Sequence, residues 1–182
     1  STVDYAAFEK PVDQSDWFRL FDDSLNELLS PKTPVKVLEV GAGKTTYPKY
    51  LGKRRINVEF HAQDITPLNY SYLSNVADKV WICDIGKVKG QFDLVFSTFV
   101  MEHIPAPWNF LMQVSELIAP NGLHIIICPS YTAPGYICPS LRHLPALEKF
   151  RSHMALLVQN LKSYFDGTPR FYINTNPAVL HC

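Results

Sequence analysis

Short runs rich in apolar residues recur along this chain, and each is brief enough to read as a strand. They are Val35 to Val40, Ile56 to Ala62, Val80 to Ile82, Phe92 to Ser97 and Leu123 to Cys128. Val35 to Val40 is mostly apolar, and Leu94, Val95 and Phe96 are apolar at consecutive positions, which suits strands buried on both faces of a parallel sheet. Helical stretches stand between most of them. Tyr47 to Leu51 makes a brief helix stopped by Gly52, and Tyr70 to Val76 makes another. Pro107 to Ile118 places Phe110, Leu111, Val114, Leu117 and Ile118 on one stripe, with Pro107 tolerated in the first turn. Pro120, Asn121 and Gly122 then break the chain before the fifth strand. Ahead of the first strand, Trp17 to Leu29 has the spacing of an amphipathic helix, capped by Ser15 and ended by Ser30, Pro31 and Pro34. Strand and helix alternating in this way give an α/β fold, Rossmann-like and doubly wound, with a mostly parallel sheet.

In such a sheet ligands bind beyond the carboxyl ends of the strands, so the residues at those ends carry the functional information. The first strand runs as VLEV into Gly41-Ala42-Gly43. Glycine permits positive φ there and a close approach of backbone to ligand. Glu39 sits two residues before the turn, Asp64 just past the second strand and Asp84 just past the third. Three carboxylates far apart in sequence thus reach one crevice. An acid about 20 residues beyond a glycine turn can accept the hydroxyls of a ribose, which suits Asp64, with Gln63 or Glu59 as the fallback, and an acid after the third strand can accept an adenine amine. The plainer role for each acid is to cap the turn that follows it.

Two nucleotide-binding patterns are close to this turn and neither fits. Gly43-Lys44-Thr45 ends like a phosphate-binding loop, but the first glycine of that loop would stand at Leu38, inside the strand. Asp93 precedes its apolar strand, where a metal-binding acid would follow it. A dinucleotide turn needs a third glycine where Thr46 stands, which disfavours a nicotinamide-dependent oxidoreductase.

Composition narrows the field further. The 182 residues suit one domain, with a helical lead-in over 1–34, a cofactor-binding core over 35–130 and an acceptor-side loop, helix and edge strand over 131–182. Seventeen basic and seventeen acidic residues cancel, so no long-range field draws the chain to nucleic acid or to an anionic membrane. The basic run Lys53, Arg54, Arg55 reads as a solvated turn. Cys83, Cys128, Cys138 and Cys182 show no close pairing, the chain does not open like a secretory leader, and no run is long enough to span a bilayer. A cytoplasmic protein without membrane insertion is expected.

The stretch FDLVFSTFVMEHIPAPWNFLMQVSELIAPNGLHIIICPS, Phe92 to Ser130, is similar in order and spacing to the class I S-adenosylmethionine-dependent methyltransferases, in the small-molecule branch called methyltransferase type 11. With VLEVGAG and the Asp64 and Asp84 positions, the resemblance covers about residues 35 to 130. It implies S-adenosyl-L-methionine as cofactor. Glu39, Gly41 and Gly43 then match the motif that holds the methionine moiety. Asp64 matches the ribose acid with Ile65 against the adenine, Asp84 and Ile85 match the pair that reads and flanks that ring, and Ser97 and Thr98 lie beside the sulfonium.

Transfer from a sulfonium is an in-line displacement in which positioning and desolvation do much of the catalysis. A hydroxyl or amine acceptor can also require a base, for which His103 is the candidate; alternatively Glu102 and His103 only fix their loop by hydrogen bonds. Related quinone-pathway enzymes bind a divalent metal through a Glu-x-x-Glu-His pattern, but Phe99 replaces the first glutamate, so no metal is expected. His124, inside a strand, is read as packing. Arg142, His143, Arg151 and His153 suit either an anionic acceptor or a solvated helix face, and Tyr131, Tyr136 and Trp108 either wall an acceptor pocket or pack. The implied acceptor is a small molecule or glycan-like compound. The family closes its sheet with a strand hairpin, whereas only Phe171 to Ile173 reads as a strand here. A partner or a further C-terminal segment over that edge is therefore expected, and a cofactor-binding but inactive module is the alternative function.

Overall fold

The computed structural model describes residues 14–29, 34–128 and 145–166. It divides into two compact units, one running over 5–127 and the other built mainly from 128–182. The first unit holds a five-stranded sheet, all parallel, in the order β3-β2-β1-β4-β5. The strands are β1 (Val35–Val40), β2 (Val58–Asp64), β3 (Lys79–Ile82), β4 (Phe92–Thr98) and β5 (Ile118–Ile127). Helices α1 (Ser15–Phe18), α2 (Asp22–Leu28), α3 (Tyr47–Leu51), α4 (Tyr70–Val76) and α5 (Pro107–Ser115) belong to the same unit. The second unit contributes α6 (Ala146–Asp166), whose apolar residues Leu147, Phe150, Met154, Val158, Leu161 and Phe165 recur at helical spacing. The loop expected over Tyr131 to Leu144, with Tyr131, Tyr136, Arg142 and His143, and the strand expected at Phe171 to Ile173 lie outside the described residues.

The apolar residues on both faces of β1 and β4 are explained by the two cores they separate. On one face Val37, Phe60, Ala62, Leu94 and Phe96 meet Phe18, Phe21, Leu25, Tyr47, Leu51 and Leu73. On the other Leu38, Val40 and Val95 meet Ile85, Val88, Phe110, Val114 and Leu117. Each buried side chain of this size contributes about 1.5–3 kcal/mol of transfer free energy, so the central strands β1 and β4 anchor the sheet.

Three expectations about elements are corrected. The leading helix is broken by a 3₁₀ turn at Arg19–Phe21, and Ser15 is its first residue rather than its cap. The tighter turn stacks residues three apart, so Phe18 and Phe21 both reach Tyr47 and Phe96, at ring-centroid distances of 4.7 to 6.1 Å within the group. Leu20, placed on the buried stripe by spacing, faces solvent. Helix α5 ends at Ser115, and Leu117 and Ile118 turn directly into β5. Finally, Pro120-Asn121-Gly122 does not separate loop from strand. It is an irregularity inside β5, which slips register between Phe92↔Ile118 and Leu94↔Leu123, with Asn121 at φ +65°.

Candidate functional site

The register aligns the strand ends that form the crevice. Val40 pairs with Gln63 on one side and Ser97 on the other, so the turn after β1 lies between the ends of β2 and β4. Gly41 and Gly43 have φ of +66° and +53°. A Cβ on Gly41 would lie 2.5 Å from Val100 Cγ2, because the loop after β4 packs straight onto the turn. A Cβ on Gly43 would meet nothing within 4 Å, which leaves open space above it.

The turn's own donors are engaged. Gly41 N–H donates to Gln63 Oε1 at 3.1 Å, Ala42 N–H to the Gln63 carbonyl at 2.9 Å, and Gly43 N–H to Asp64 Oδ2 at 2.9 Å. These amides face β2, which differs from the expectation that they approach a ligand. The same bonds argue against phosphate. A phosphate cradle needs free amides, and here an acidic side chain already takes the third.

Glu39 lies beneath this turn with 1% of its surface exposed. Thr45 hydrogen-bonds its side chain, Asp64 stands close enough to repel its charge, and Tyr47 and Tyr72 feel that charge in turn. Burial, reinforced by Asp64 and opposed by Thr45, raises its pKa to about 8. Its Oε2 has no hydrogen-bond partner. A neutral carboxyl with an unsatisfied buried oxygen is a site that a bound cation would complete, since an adjacent positive charge favours the ionised form. The residues present thus fit a ligand with an ammonium group over the turn and without phosphate.

The other predicted residues are distributed around this centre. Asp64 Oδ1 accepts the Thr66 N–H at 3.0 Å while Oδ2 holds Gly43, so the acid braces two loops. Asp84 is exposed, and its Oδ1 caps the following 3₁₀ turn through Gly86 N–H at 2.9 Å. The plainer capping role thus operates at both acids, with lone pairs remaining for ligand hydroxyls. Ile65 is 62% exposed beside Asp64, whereas Ile85 is drawn into the core with Val88 and Phe110. Of the two isoleucines expected against an adenine, only Ile65 offers an open face. A cleft of about 220 Å³ between Ile85, Gly86, Gln113 and Leu117 follows this core surface back toward Gly90, away from the glycine turn.

At the end of β4, Ser97 and Thr98 are buried, and Ser97 Oγ has no partner. Gln14 spans the crevice from the N-terminal side. Its N–H donates to Thr46 Oγ1 and its Nε2 to Thr98 Oγ1, both at 3.4 Å. Phe99 follows with φ +57°, a left-handed conformation costing a bulky residue about 1–2 kcal/mol. Its N–H is held by the Ile127 carbonyl at 2.8 Å, and the Trp17 ring meets its own at 5.1 Å and 86°. The loop then forms a 3₁₀ turn at Met101–His103, with His103 N–H on the Val100 carbonyl at 2.9 Å. Glu102, beside His103, is desolvated enough to raise its pKa to about 6, and one of its oxygens is buried without a partner.

Several expected side sites carry less. Arg54 and Arg55 of the basic run pair with Asp22 at 2.9 Å and Asp78 at 2.7 Å. His124 is half-buried on β5 with its pKa lowered by burial, and Trp108 is exposed on α5. Arg151 and His153 lie on α6, in the second unit. Among the described residues no group of three or more His, Cys, Asp or Glu side chains is arranged to hold a metal ion. Sequence reasoning treated Gln63 only as a substitute ribose ligand, and missed Gln14 and Trp17. An amide next to an acid at a strand end is the signal that pointed to Gln63; nothing local marks the other two.

Comparison with known proteins agrees with this fold. A plantazolicin methyltransferase solved in complex with SAH superposes with a TM-score of 0.56 at 15% identity, over 84% of this chain and 65% of that one. An S-adenosylmethionine dependent methyltransferase from Mesorhizobium loti gives 0.50 at 13% identity, over 69% and 57%. An uncharacterised protein of Mycobacterium tuberculosis is 41% identical over 44 residues, which are 24% of this chain and 15% of that protein. The chain thus spans less than two thirds of each. The family model described as a methyltransferase domain matches residues 14–166. With that match extending over the sheet, the glycine turn and α6, the chain belongs to the methyltransferase domain family.

Proposed function

We propose that this chain is an S-adenosylmethionine-dependent methyltransferase that moves a methyl group by direct in-line transfer to a small-molecule or glycan-like acceptor. The observation that carries this reading is the buried, unsatisfied carboxyl of Glu39 under a turn whose amides are taken by Gln63 and Asp64. That arrangement suits a nucleoside cofactor with an ammonium group and no phosphate. When bound, the cofactor supplies an electrophilic methyl on a sulfonium. Glu39 holds the ammonium end, Asp64 and Asp84 offer acceptors to ribose hydroxyls and the adenine amine, and Ile65 covers the ring. Ser97 and Thr98 border the reacting centre. His103 is the candidate base for the acceptor's proton, and Glu102, with its pKa near 6, stands next to it in a range useful for proton transfer at neutral pH. No helix among the described residues is long and apolar enough to cross a membrane. We place the activity in the cytoplasm, where the free thiol of Cys83 stays reduced.

Calorimetric titration with S-adenosylmethionine and S-adenosylhomocysteine tests the reading. Binding of both, with transfer of labelled methyl into a compound from a cell extract, is the expected result. Failure of both to bind removes the methyltransferase reading, and tight binding without turnover over a broad acceptor panel would favour the inactive-module alternative instead.

A further inference from the structure

We propose that Trp17 and Phe99 form the wall of the acceptor site and that the acceptor presents a flat aromatic ring to them; this rests on the methyltransferase reading above. Three observations converge on the place. First, Phe99 holds φ +57° at the end of β4, where glycine or asparagine would sit without the same strain. A large aromatic side chain kept in an unfavourable backbone conformation points to a use for that side chain. Second, the next residue, Val100, is in contact range of the Gly41 backbone, so Phe99 is one residue from the turn that Glu39 underlies. Third, Trp17 meets Phe99 nearly at right angles, 86° at 5.1 Å, and is itself 40% exposed. A tryptophan present only to pack α1 onto the sheet would be covered, as Phe18 beside it is.

Gln14 fixes this corner relative to the crevice. Its backbone N–H on Thr46 and its side chain on Thr98 tie the start of α1 to both the glycine-turn side and the β4 side. Two rings at right angles leave one face and one edge, the geometry in which a third aromatic ring packs best. A planar ring can stack on one aromatic partner and meet the other edge-on in such a corner.

The test uses the full chain saturated with S-adenosylhomocysteine and four probes followed by ligand-observed NMR: 2-naphthol, decahydro-2-naphthol, methyl β-D-glucoside and tetramethylammonium. We expect 2-naphthol to bind about tenfold more tightly than the other three, Trp17→Ala to remove that preference, and Trp17→Phe to restore most of it. Phe99→Ala should act like Trp17→Ala, while affinity for S-adenosylhomocysteine stays within about twofold in all three variants, which separates a ring-binding role from general loss of structure. Equal binding of the saturated alcohol, the sugar or the cation overturns the inference, as does an unchanged 2-naphthol affinity in Trp17→Ala. Absence of S-adenosylhomocysteine binding by the parent chain would instead sink the underlying methyltransferase reading, and this inference with it.

Discussion

Glu39 combines two demands that oppose each other, and its titration should report both. Its folded-state pKa lies near 8 against an ordinary value of 4.5, because burial outweighs the Thr45 hydrogen bond and Asp64 adds repulsion. Between those values the folded chain keeps a proton that the unfolded chain has released. Stability is therefore fullest below about pH 4.5 and is lost as pH rises toward 8, by at most about 1.4 kcal/mol per pH unit. Glu102, raised to about 6, acts in the same sense lower in the range, and His124, whose pKa is lowered by burial, acts oppositely below 6.5. Among the described residues, the interval from 6.5 to 8 thus isolates Glu39. Glu39→Gln, which mimics the protonated acid, should flatten the dependence of Tm on pH there and raise stability near pH 8 by about 1–3 kcal/mol. It should also weaken S-adenosylhomocysteine binding about tenfold or more, since the ammonium loses its charged partner. A variant with the parent's pH profile would show that this carboxyl is ionised in the folded chain. The position of Glu39 was legible in the sequence as an acid two residues before a glycine turn. Its neutrality was not, because it comes from burial in the folded chain and from the nearness of Asp64, which another strand supplies.

The loops are held together by Gln63 more than by the glycine turn. Gln63 Oε1 accepts from Gly41 N–H and its Nε2 donates to the Cys83 carbonyl at 2.6 Å, so one side chain at the end of β2 links the ends of β1 and β3. It is 4% exposed, and both partners lose a buried contact if it is removed. Gln63→Leu should destabilise by about 2–4 kcal/mol, as an unsatisfied buried amide and carbonyl are expected to cost. Cofactor binding should fall with it, and hydrogen exchange at Gly41 should accelerate. Normal exchange at Gly41 in that variant would show that other contacts hold the turn. Strand existence was readable from the apolar-rich runs. The boundaries were less so. β2 begins two residues later than the run that predicted it, since residues 52–57 form a 3₁₀ segment, and β5 begins at Ile118 because a register slip absorbs Pro120-Asn121-Gly122. At β5 tertiary pairing overrides a local turn signal, whereas at β2 a local 3₁₀ segment shortens the strand.

The whole first unit should respond to the cofactor as one body. The candidate residues sit on the ends of β1, β2, β3 and β4, four strands that are consecutive neighbours in the sheet, so a ligand touching them all ties together loops whose strands carry both cores. A ligand that binds only the folded form stabilises it by about 2.7 kcal/mol at a hundredfold excess over Kd. For a chain of this size, at about 2–4 °C per kcal/mol, that corresponds to a rise in Tm of roughly 5–11 °C. On the proposed assignment, adenosine alone reaches the acids after β2 and β3 but leaves Glu39 unpaired, and methionine alone does the reverse. Each fragment at the same concentration should therefore produce a much smaller shift than S-adenosylhomocysteine, and the two together should not equal it, because the linked molecule loses its freedom only once. The net charge of zero gives no long-range steering, so the shift should change little with added salt. Differential scanning fluorimetry over a ligand series checks both statements. A shift produced in full by adenosine alone would place the binding energy at Asp64 and Asp84 and leave the buried carboxyl of Glu39 without its assigned partner.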